Sequence, residues 1–460
     1  MPGYVEDTIV ALATPPGVGA IAVLRVSGRD ARAIVARLLA GRADGALTAD
    51  LLADSHRARL AVVHDPEGGA PIDRVLVLPM LAPRSYTGED VVELHCHGGT
   101  LVPDRIHRAL LRAGARAARP GEFTERAFLN GKLDLCQAEA VADLIEASSE
   151  AGRAAAWRQL EGGLSRRVLA LRDRLLDVRA LVEAHLDFPE DDLPPDAEAE
   201  IGDRLAEVVD ALDRLAATFE RGRLAREGVR VTLVGKPNVG KSSLMNAVLG
   251  RERALVSEQA GTTRDYLEEP ASVGALRVLL CDTAGLRAGA DLVEKAGIER
   301  TRERIATSDV VVAVLDGSAP LDGEDAAVLE ACGSRPRVVV RNKSDLPAAW
   351  RGVPAELEVS ARTGDGLDAL AASITAKLPQ AALAEPADDA PIVTRARHHV
   401  ALVGAAEAVR RAQLALDLAQ GLELVSSELQ VATAELDGLV GASNIEDVLD
   451  RVFSRFCVGK

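Results

Sequence analysis

The chain contains no apolar stretch approaching the roughly 18 residues of a membrane span, and Met1 to Asp7 carry no basic region ahead of an apolar one. Neither a membrane anchor nor a secretory leader is expected. Cysteine is scarce: residues 96, 136, 281, 332 and 457 are odd in number and unspaced for metal. That argues against a disulfide framework and a structural zinc site, and makes a soluble chain in a reducing, cytoplasmic setting the expectation. Positive charge is short as well, with a formal net charge of -16. Broad electrostatic coating of nucleic acid is excluded, so such a partner has to be met through a local basic patch.

Lysine is the least used cation, confined to positions 132, 236, 241, 295, 343, 377 and 460 of an arginine-rich chain. Where arginine is the default, a lysine marks a place that wants a compact ammonium rather than a planar fork. Lys132 and Lys460 stand out on this ground, with persistence by chance as the alternative.

What is present begins with Gly235 to Ser243, GKPNVGKSS, after the strand-like run Val229 to Val234 and before a helix start. Two glycines let the backbone wrap an oxyanion, and N–H groups at the helix N-terminus point at it. Lys241 reaches the outer phosphates and Ser242 offers its hydroxyl to magnesium. Asn238, Val239, Gly240, Lys241, Ser242 and Ser243 are the candidate nucleotide contacts of this loop.

Downstream motifs in fixed order select a guanine nucleotide. Thr262-Thr263-Arg264-Asp265 supplies a second magnesium hydroxyl, Thr263, and Asp282-Thr283-Ala284-Gly285 follows the strand-like run Leu276 to Cys281. There the aspartate holds the metal through water and the glycine N–H touches the last phosphate. Asn342-Lys343-Ser344-Asp345 closes another strand, Arg337 to Val340. The Asp345 carboxylate accepts both N1–H and the 2-amino group of guanine, whereas adenine would leave it unpaired at a cost of about 1–3 kcal/mol or more. Ser360, Ala361 and Arg362 complete the purine pocket. Any one tetrapeptide alone also fits a solvated turn.

Residues 1–120 alternate short apolar runs with helical stretches near 29–40 and 100–113, the pattern of a small α+β domain. From Pro120 the pattern turns helical: Trp157, Leu160, Leu164, Val168, Leu171, Leu175, Val178 and Val182 predict one long amphipathic helix. After the break His185 to Pro195, Ile201 to Phe219 repeat the period, which predicts an antiparallel hairpin. A guanine-nucleotide domain over 228–379 and an Ala/Pro/Asp linker from 380 precede renewed helical periodicity to residue 460. Helices on both sides of a complete GTPase predict that it is inserted in a helical domain, its two ends close together.

By this point the residues resemble one family, the bacterial tRNA modification GTPases MnmE (TrmE). TPPGVGAIAVLRVSG at 14–28, SYTGEDVVELHCHGG at 85–99, RPGEFTERAFLNGKLDLCQAEAVADLI at 119–145 and the terminal FCVGK carry the likeness beyond the GTPase. The resemblance implies a multidomain chain: an α+β N-terminal folate-binding domain over 1–120, an α-helical central domain from 121–227 and 380–460, and an inserted Ras-like α/β P-loop GTPase domain. It implies a homodimer joined through N-terminal domains and a heterotetramer with a flavoprotein, MnmG. Together these would install an aminomethyl-type group at C5 of the wobble uridine of certain tRNAs. The one-carbon donor is 5-formyl- or methylene-tetrahydrofolate, and its implied site residues are Arg25, Glu93, Lys132 and Lys460. Read alone, Arg25 and Glu93 fit an ordinary surface ion pair. His95 and His97 share a strand face without Cys96, and no further ligand is spaced to join them in a metal site. Cys457 lacks the prenylation context; the family makes it a participant in the chemistry, and a small buried apolar residue is the other reading.

Leu286 occupies the position where Ras-type enzymes place a water-orienting glutamine. The resemblance supplies a potassium ion held by Asn238 and by Ser257, Gln259 and Thr262 of the loop that also contains Glu258, Ala260 and Gly261, and it supplies Glu294 to orient water through a second water. A cation stabilising transition-state charge is worth about 10³ to 10⁵ in rate. Two rivals stay open on the GTPase motifs alone. One is a ribosome-assembly GTPase, which lacks the 85–145 signatures and the tail; the other is a mechanical, scaffold-type GTPase. Basic residues from Arg153 to Arg179 fit either a tRNA contact or a solvated helical face.

Overall fold

The computed structural model describes residues 7–39, 52–67, 69–147, 149–187, 197–253, 268–273, 276–282, 303–352, 354–378, 392–442, 452–454, 456 and 459. The chain divides into two compact units: residues 1–145, 159–212 and 401–460 form the first, and 146–158 with 213–400 form the second.

The first unit opens with β1 (Ile9–Leu12), β2 (Ile21–Ser27), α1 (Ala31–Leu39), β3 (Arg59–His64), β4 (Pro71–Met80), β5 (Val91–His97), α2 (Leu101–Arg112), β6 (Arg116–Ala117), α3 (Glu122–Leu129) and α4 (Leu135–Glu146). Its six strands run in the order β3-β4-β5-β2-β1-β6. All pairs are antiparallel except β1 with β6. Alternation along β2 sends Ala22, Leu24 and Val26 into a core with Ile34 and Leu38 of α1 and Ile106 and Leu110 of α2. The intervening residues Ile21, Val23 and Arg25 take the other face, and antiparallel register sets them opposite His97, His95 and Glu93 of β5.

Helices follow along the chain: α5 (Glu150–Leu160), α6 (Gly163–Asp187), α7 (Ala197–Ala216) and α8 (Phe219–Glu227), with α12 (Ala396–Asp417) and α13 (Leu422–Val440) after the GTPase. Most of α5 and all of α8 fall in the second unit, while α6, most of α7, most of α12 and all of α13 fall in the first. The single helix expected from Trp157 to Val182 is broken. Gly162 sits at φ +80, a left-handed conformation that only glycine adopts without a Cβ penalty, and it separates α5 from α6. Gln137 Nε2 donates to the Leu160 carbonyl at 2.9 Å, satisfying one acceptor at the end of α5. Trp157, placed by periodicity on the apolar face, is 47% exposed.

Along α6 the buried stripe is Leu164, Val168, Leu171, Leu175, Val178 and Val182, and it packs on α13 from the far end of the sequence. The Arg172–Asp437 ion pair at 2.5 Å and the Ser426–Glu183 hydrogen bond at 2.5 Å set the two helices antiparallel. The expected hairpin partner α7 is joined to α6 by the longer Arg174–Glu207 contact, 3.9 Å. The closer pairing of α6 is with α13, which presents the stripe Val425, Leu429, Ala432, Leu436 and Leu439.

In the second unit β7 (Val229–Val234), α9 (Lys241–Arg253), β8 (Glu268–Val273), β9 (Leu276–Asp282), β10 (Val310–Asp316), α10 (Gly323–Ala331), β11 (Arg337–Asn342), β12 (Leu357–Glu358) and α11 (Leu367–Lys377) build an α/β domain. Strand order is β12-β11-β10-β7-β9-β8, parallel except for the edge strand β8. Near-continuous valine runs such as β10, buried at six of its seven positions, suit a sheet covered on both faces. The flanks of this domain meet: Val393 N donates to Thr218 Oγ1 at 3.0 Å, and Phe219 stacks on His399 at 4.7 Å.

Candidate functional site

Parallel strands deliver their C-terminal ends to one edge of a sheet, where ligands bind in open α/β folds. At this edge β7 leads into Gly235–Ser243, β9 ends at Asp282, β10 at Asp316 and β11 at Asn342. Gly235 lies against β10, where an added Cβ would stand 2.3 Å from the Val314 carbonyl oxygen. Gly240, at φ +96, would put a Cβ 2.4 Å from Asn342 Nδ2. Both positions demand glycine for close approach, which is what lets the loop curl. Asn238 adopts φ +65 and is exposed.

Lys241 is buried at the base of α9 and its Nζ donates to the carbonyls of Gly235 and Lys236 at 2.7 and 2.8 Å. Its ammonium therefore closes the loop from inside. Ser242 and Ser243 beside it are exposed. Lys236 forms ion pairs of 2.7 Å with both Asp322 and Asp325, which raise its pKa and tie the loop to the N-terminus of α10.

The segments 342–345 and 360–362 are assembled around Asn342, 1% exposed. Its Nδ2 donates to the Val239 carbonyl at 2.8 Å, and its Oδ1 accepts from Ala361 N at 3.2 Å. Lys343, at φ +63, donates to Asp316 Oδ2 at 2.6 Å, and Trp350 Nε1 donates to the Asp316 carbonyl at 2.8 Å. Burial alone would raise the Asp316 pKa, but hydrogen bonds from Lys343 and Ser318 hold it below the ordinary carboxylate range. Asp345 Oδ1 accepts from Ser360 Oγ at 2.6 Å and Oδ2 pairs with Arg362 at 2.7 Å. The Ser360 hydroxyl, with Arg362 adding to it, keeps Asp345 ionised below the usual range. The structure thus brings together the phosphate loop, Asn342, Lys343, Asp345, Ser360, Ala361 and Arg362. Ser257 to Thr263, Thr283, Ala284, Gly285 and Glu294 lie outside the described residues, and Asp282 is described only as the last position of β9.

A second cluster lies on the face of the N-terminal sheet opposite the α1–α2 core, partly covered by Phe123 and Tyr86. Arg25 Nε donates to Glu93 Oε1 at 2.9 Å, and His95 Nε2 lies 3.1 Å from Glu93 Oε2. The Arg25 guanidinium stands 5.3 Å from the Tyr86 ring centre and 5.7 Å from that of Phe123, within cation–π range. Lys132 Nζ donates to the Pro83 carbonyl at 3.1 Å. Cys457 and Lys460 lie outside the described residues, but their neighbours bear on them. Gly459, at φ +99, sits where a Cβ would be 2.2 Å from the Leu12 carbonyl oxygen, beside β2. Phe456 lies in a buried cluster with Leu135 and Phe453.

The histidines beside Cys96 are taken by carboxylates, His97 by Asp73 at 2.8 Å. Cys96 faces the core, where burial pushes its thiol up to about 11. No cluster of metal-ligating side chains occurs among the described residues. Arg153, Arg172, Arg174 and Arg179, weighed above as a tRNA contact, each pair with a carboxylate of the fold.

Sequence reasoning missed Tyr86 and Phe123, and a buried charge network supporting the same domain. Arg126, 4% exposed, pairs with Asp7 at 2.5 Å, Glu89 at 3.1 Å and Glu122 at 3.1 Å. Arg116 joins Asp7 and Glu122, both at 2.6 Å. The hydrogen bond from Arg116 lowers the Asp7 pKa; at Glu122 burial pushes upward, but Arg116, Arg119 N and Arg126 outweigh it and the pKa falls. The i,i+4 spacing of Glu122 and Arg126 was the available signal; nothing in the sequence marked Asp7 or Glu89 as their partners.

Comparison with known proteins covers both halves of the molecule. The family model of the GTP-binding protein TrmE N-terminus matches residues 8–132, and that of the MnmE helical domain matches 135–457. The tRNA modification GTPase MnmE of Moorella thermoacetica is 44% identical over 468 aligned residues, spanning 99% of this chain and all of that protein. Its namesakes from Geobacter sulfurreducens and Chloroflexus aurantiacus are 42% and 44% identical, again over 99% of this chain and 100% of theirs. With the Gly235–Ser243 loop, Asn342 and Asp345 assembled at one end of the second sheet and a likeness that runs nearly end to end, this chain belongs to the MnmE family of tRNA modification GTPases.

Proposed function

We propose that the chain is a potassium-dependent GTP hydrolase which, with a flavoprotein partner of the MnmG type, installs an aminomethyl-type group at C5 of the wobble uridine of tRNA. The observation that carries the nucleotide part is Asn342, whose one side chain joins the phosphate loop to Ala361 beside the base reader Asp345. Family membership over nearly the whole chain carries the tRNA part. No helix of the described residues is long and apolar enough to cross a membrane, in keeping with a reaction on tRNA.

In this reading the chain's residues bind and orient. The loop backbone and Lys241 hold the phosphates, Ser242 and Thr263 offer hydroxyls to magnesium, and Asp345 takes the guanine edge. The exposed, left-handed Asn238 presents an amide at the loop rim, which suits a potassium ligand. Potassium there would supply the positive charge that an arginine finger supplies elsewhere. Glu294 orients the attacking water in place of the glutamine that Leu286 replaces.

The N-terminal unit carries groups that suit a folate: the carboxylate Glu93 for an aminopyrimidinone edge, and Arg25 beside it and Lys132, on the loop after α3, for the carboxylates of the tail. Docking of Gly459 at the end of β1 favours Lys460 and Cys457 as further members. The same sheet face exposes Ile21, Leu60 and Leu76 at 65%, 60% and 45%, an apolar surface suited to the homodimer. The domain division that goes with this is 1–120 for folate and dimerisation, 228–379 for GTP, and 121–227 with 380–460 for the helical frame.

Mass analysis of wobble uridine in tRNA from a strain lacking the gene tests the proposal. Loss of the C5 modification is expected; an unchanged nucleoside would overturn the modification reading and leave a GTPase switch.

A further inference from the structure

Both oxygens of the base-reading carboxylate are already engaged by the protein itself. Oδ1 of Asp345 accepts from Ser360 Oγ at 2.6 Å, and Oδ2 is paired with a guanidinium nitrogen of Arg362 at 2.7 Å. The two partners are unlike. Ser360 is fully buried, whereas the Arg362 side chain is 74% exposed and Asp345 is its partner among the described residues. A guanine edge presents N1–H and the 2-amino group side by side, and it needs both oxygens of one carboxylate. The serine can hold its oxygen through one lone pair while the base takes another. The arginine brings a full positive charge to the other oxygen, Oδ2, neutralising one of the two acceptors the base needs and crowding its approach.

We infer that Arg362 is a specificity-determining residue that competes with guanine for Asp345, lowering affinity for guanine nucleotides and so shortening the lifetime of the bound state. The inference rests on Asp345 being the base reader. As the base arrives the exposed side chain swings into solvent, and as the base leaves it returns to Oδ2. Residues grouped with a purine pocket by their motif thus act in opposite senses: Ser360 positions the acceptor and Arg362 contests it. The effect is confined to ligands that use Asp345. Its sign is also diagnostic, because removing a cation near an anionic nucleotide would otherwise weaken binding.

Titration calorimetry of the full-length protein with GDP decides the matter. An exposed ion pair is worth little, so Arg362→Ala and Arg362→Gln should each tighten GDP about two- to fivefold at low salt. The gain should shrink as salt screens the pair in the unsubstituted protein. In an Asp345→Asn background, probed with xanthosine diphosphate, Arg362→Ala should leave affinity unchanged or weaker and never tighter, because no carboxylate remains to contest and only the cation is lost. GDP affinity that is unchanged or weaker in both Arg362 variants would overturn the inference, as would equal tightening in the Asp345→Asn background. An Asp345→Asn protein that still prefers guanine over xanthine nucleotides would instead remove Asp345 as the reader, a separately visible failure.

Discussion

Asn342 donates to the carbonyl of Val239 at 2.8 Å from a side chain that is almost wholly buried, so the residue that ends β11 also fixes the curl of the phosphate loop more than a hundred positions earlier in the chain. Gly240 is tight against the same amide. Val239 of the loop after β7 and Ala361 are therefore joined through a single amide that uses both its donor and its acceptor.

Asn342→Ala should accordingly damage binding and stability together. It leaves the Val239 carbonyl and the Ala361 N–H without this partner, at about 1–3 kcal/mol for each buried group. GTP affinity should fall about tenfold or more and the melting temperature should drop in calorimetry. Unaltered affinity would mean the two loops are not coupled through this residue.

Hydrolysis should run much faster in potassium than in sodium, and Asn238→Lys should raise the sodium rate toward the potassium rate. The ion's work is electrostatic, so a tethered charge partly imitates it. Steady-state turnover in matched chloride salts provides the comparison; equal rates in both would rule the ion out.

Glu294→Ala should bind GTP and GDP normally and hydrolyse GTP far more slowly, because its assigned task arises only in the chemical step. Single-turnover hydrolysis in potassium at saturating protein isolates that step. A rate within about threefold of the unsubstituted protein corresponds to less than about 1 kcal/mol of barrier and makes Glu294 an ordinary surface charge.

Lys132→Ala should weaken binding of 5-formyltetrahydrofolate in calorimetry and leave GTP turnover nearly intact, since Lys132 and the GTP-binding residues belong to different units. Gly459→Ala should do the same by another route. Its φ of +99 and the 2.2 Å approach to the Leu12 carbonyl leave no room for a methyl group, so the tail must shift from β1. Full folate affinity in both variants would take the lysine and the tail out of that site.

Acid should release the charge network of the N-terminal unit. Asp7 and Glu122 both titrate below their unfolded values when folded. The stability they contribute is therefore fully present above about pH 4 to 4.5 and is lost as pH falls through the folded pKa values. Glu122→Gln, which breaks pairs around a side chain 3% exposed, should cost about 3–5 kcal/mol at neutral pH and flatten this acid limb. Melting curves between neutral pH and pH 3 measure both; an unaltered acid limb would place the proton uptake elsewhere.

Much of this molecule was readable from one line of residues because its signals are local. Short apolar runs marked five strands of the first sheet and β7, β9 and β11 of the second, and the tetrapeptides beginning at Asn342 and Asp282 fell at strand ends. The break at Gly162 was missed because the apolar period continues unbroken across it; only the backbone conformation reveals the turn. The pairing of α6 with α13 was foreseen only as helices packing across the insertion, since a stripe of leucines does not name its partner and the nearer candidate α7 carries an equal one.

The sequence by itself determined which motifs are present: a glycine-rich GKPNVGKSS loop, an Asn-Lys-Ser-Asp tetrapeptide, a lysine-poor chain with Lys132 outside both, and Leu286 directly after Asp282 to Gly285. These depend on residue type at short spacing, which folding does not alter. Only the tertiary structure decided which groups meet. It set Glu93 opposite Arg25 through strand register, enclosed Arg126 among Asp7, Glu89 and Glu122, and brought Arg362 onto Oδ2 of Asp345. Contacts of that kind depend on where distant backbones come to rest, and short-range pattern holds no record of it.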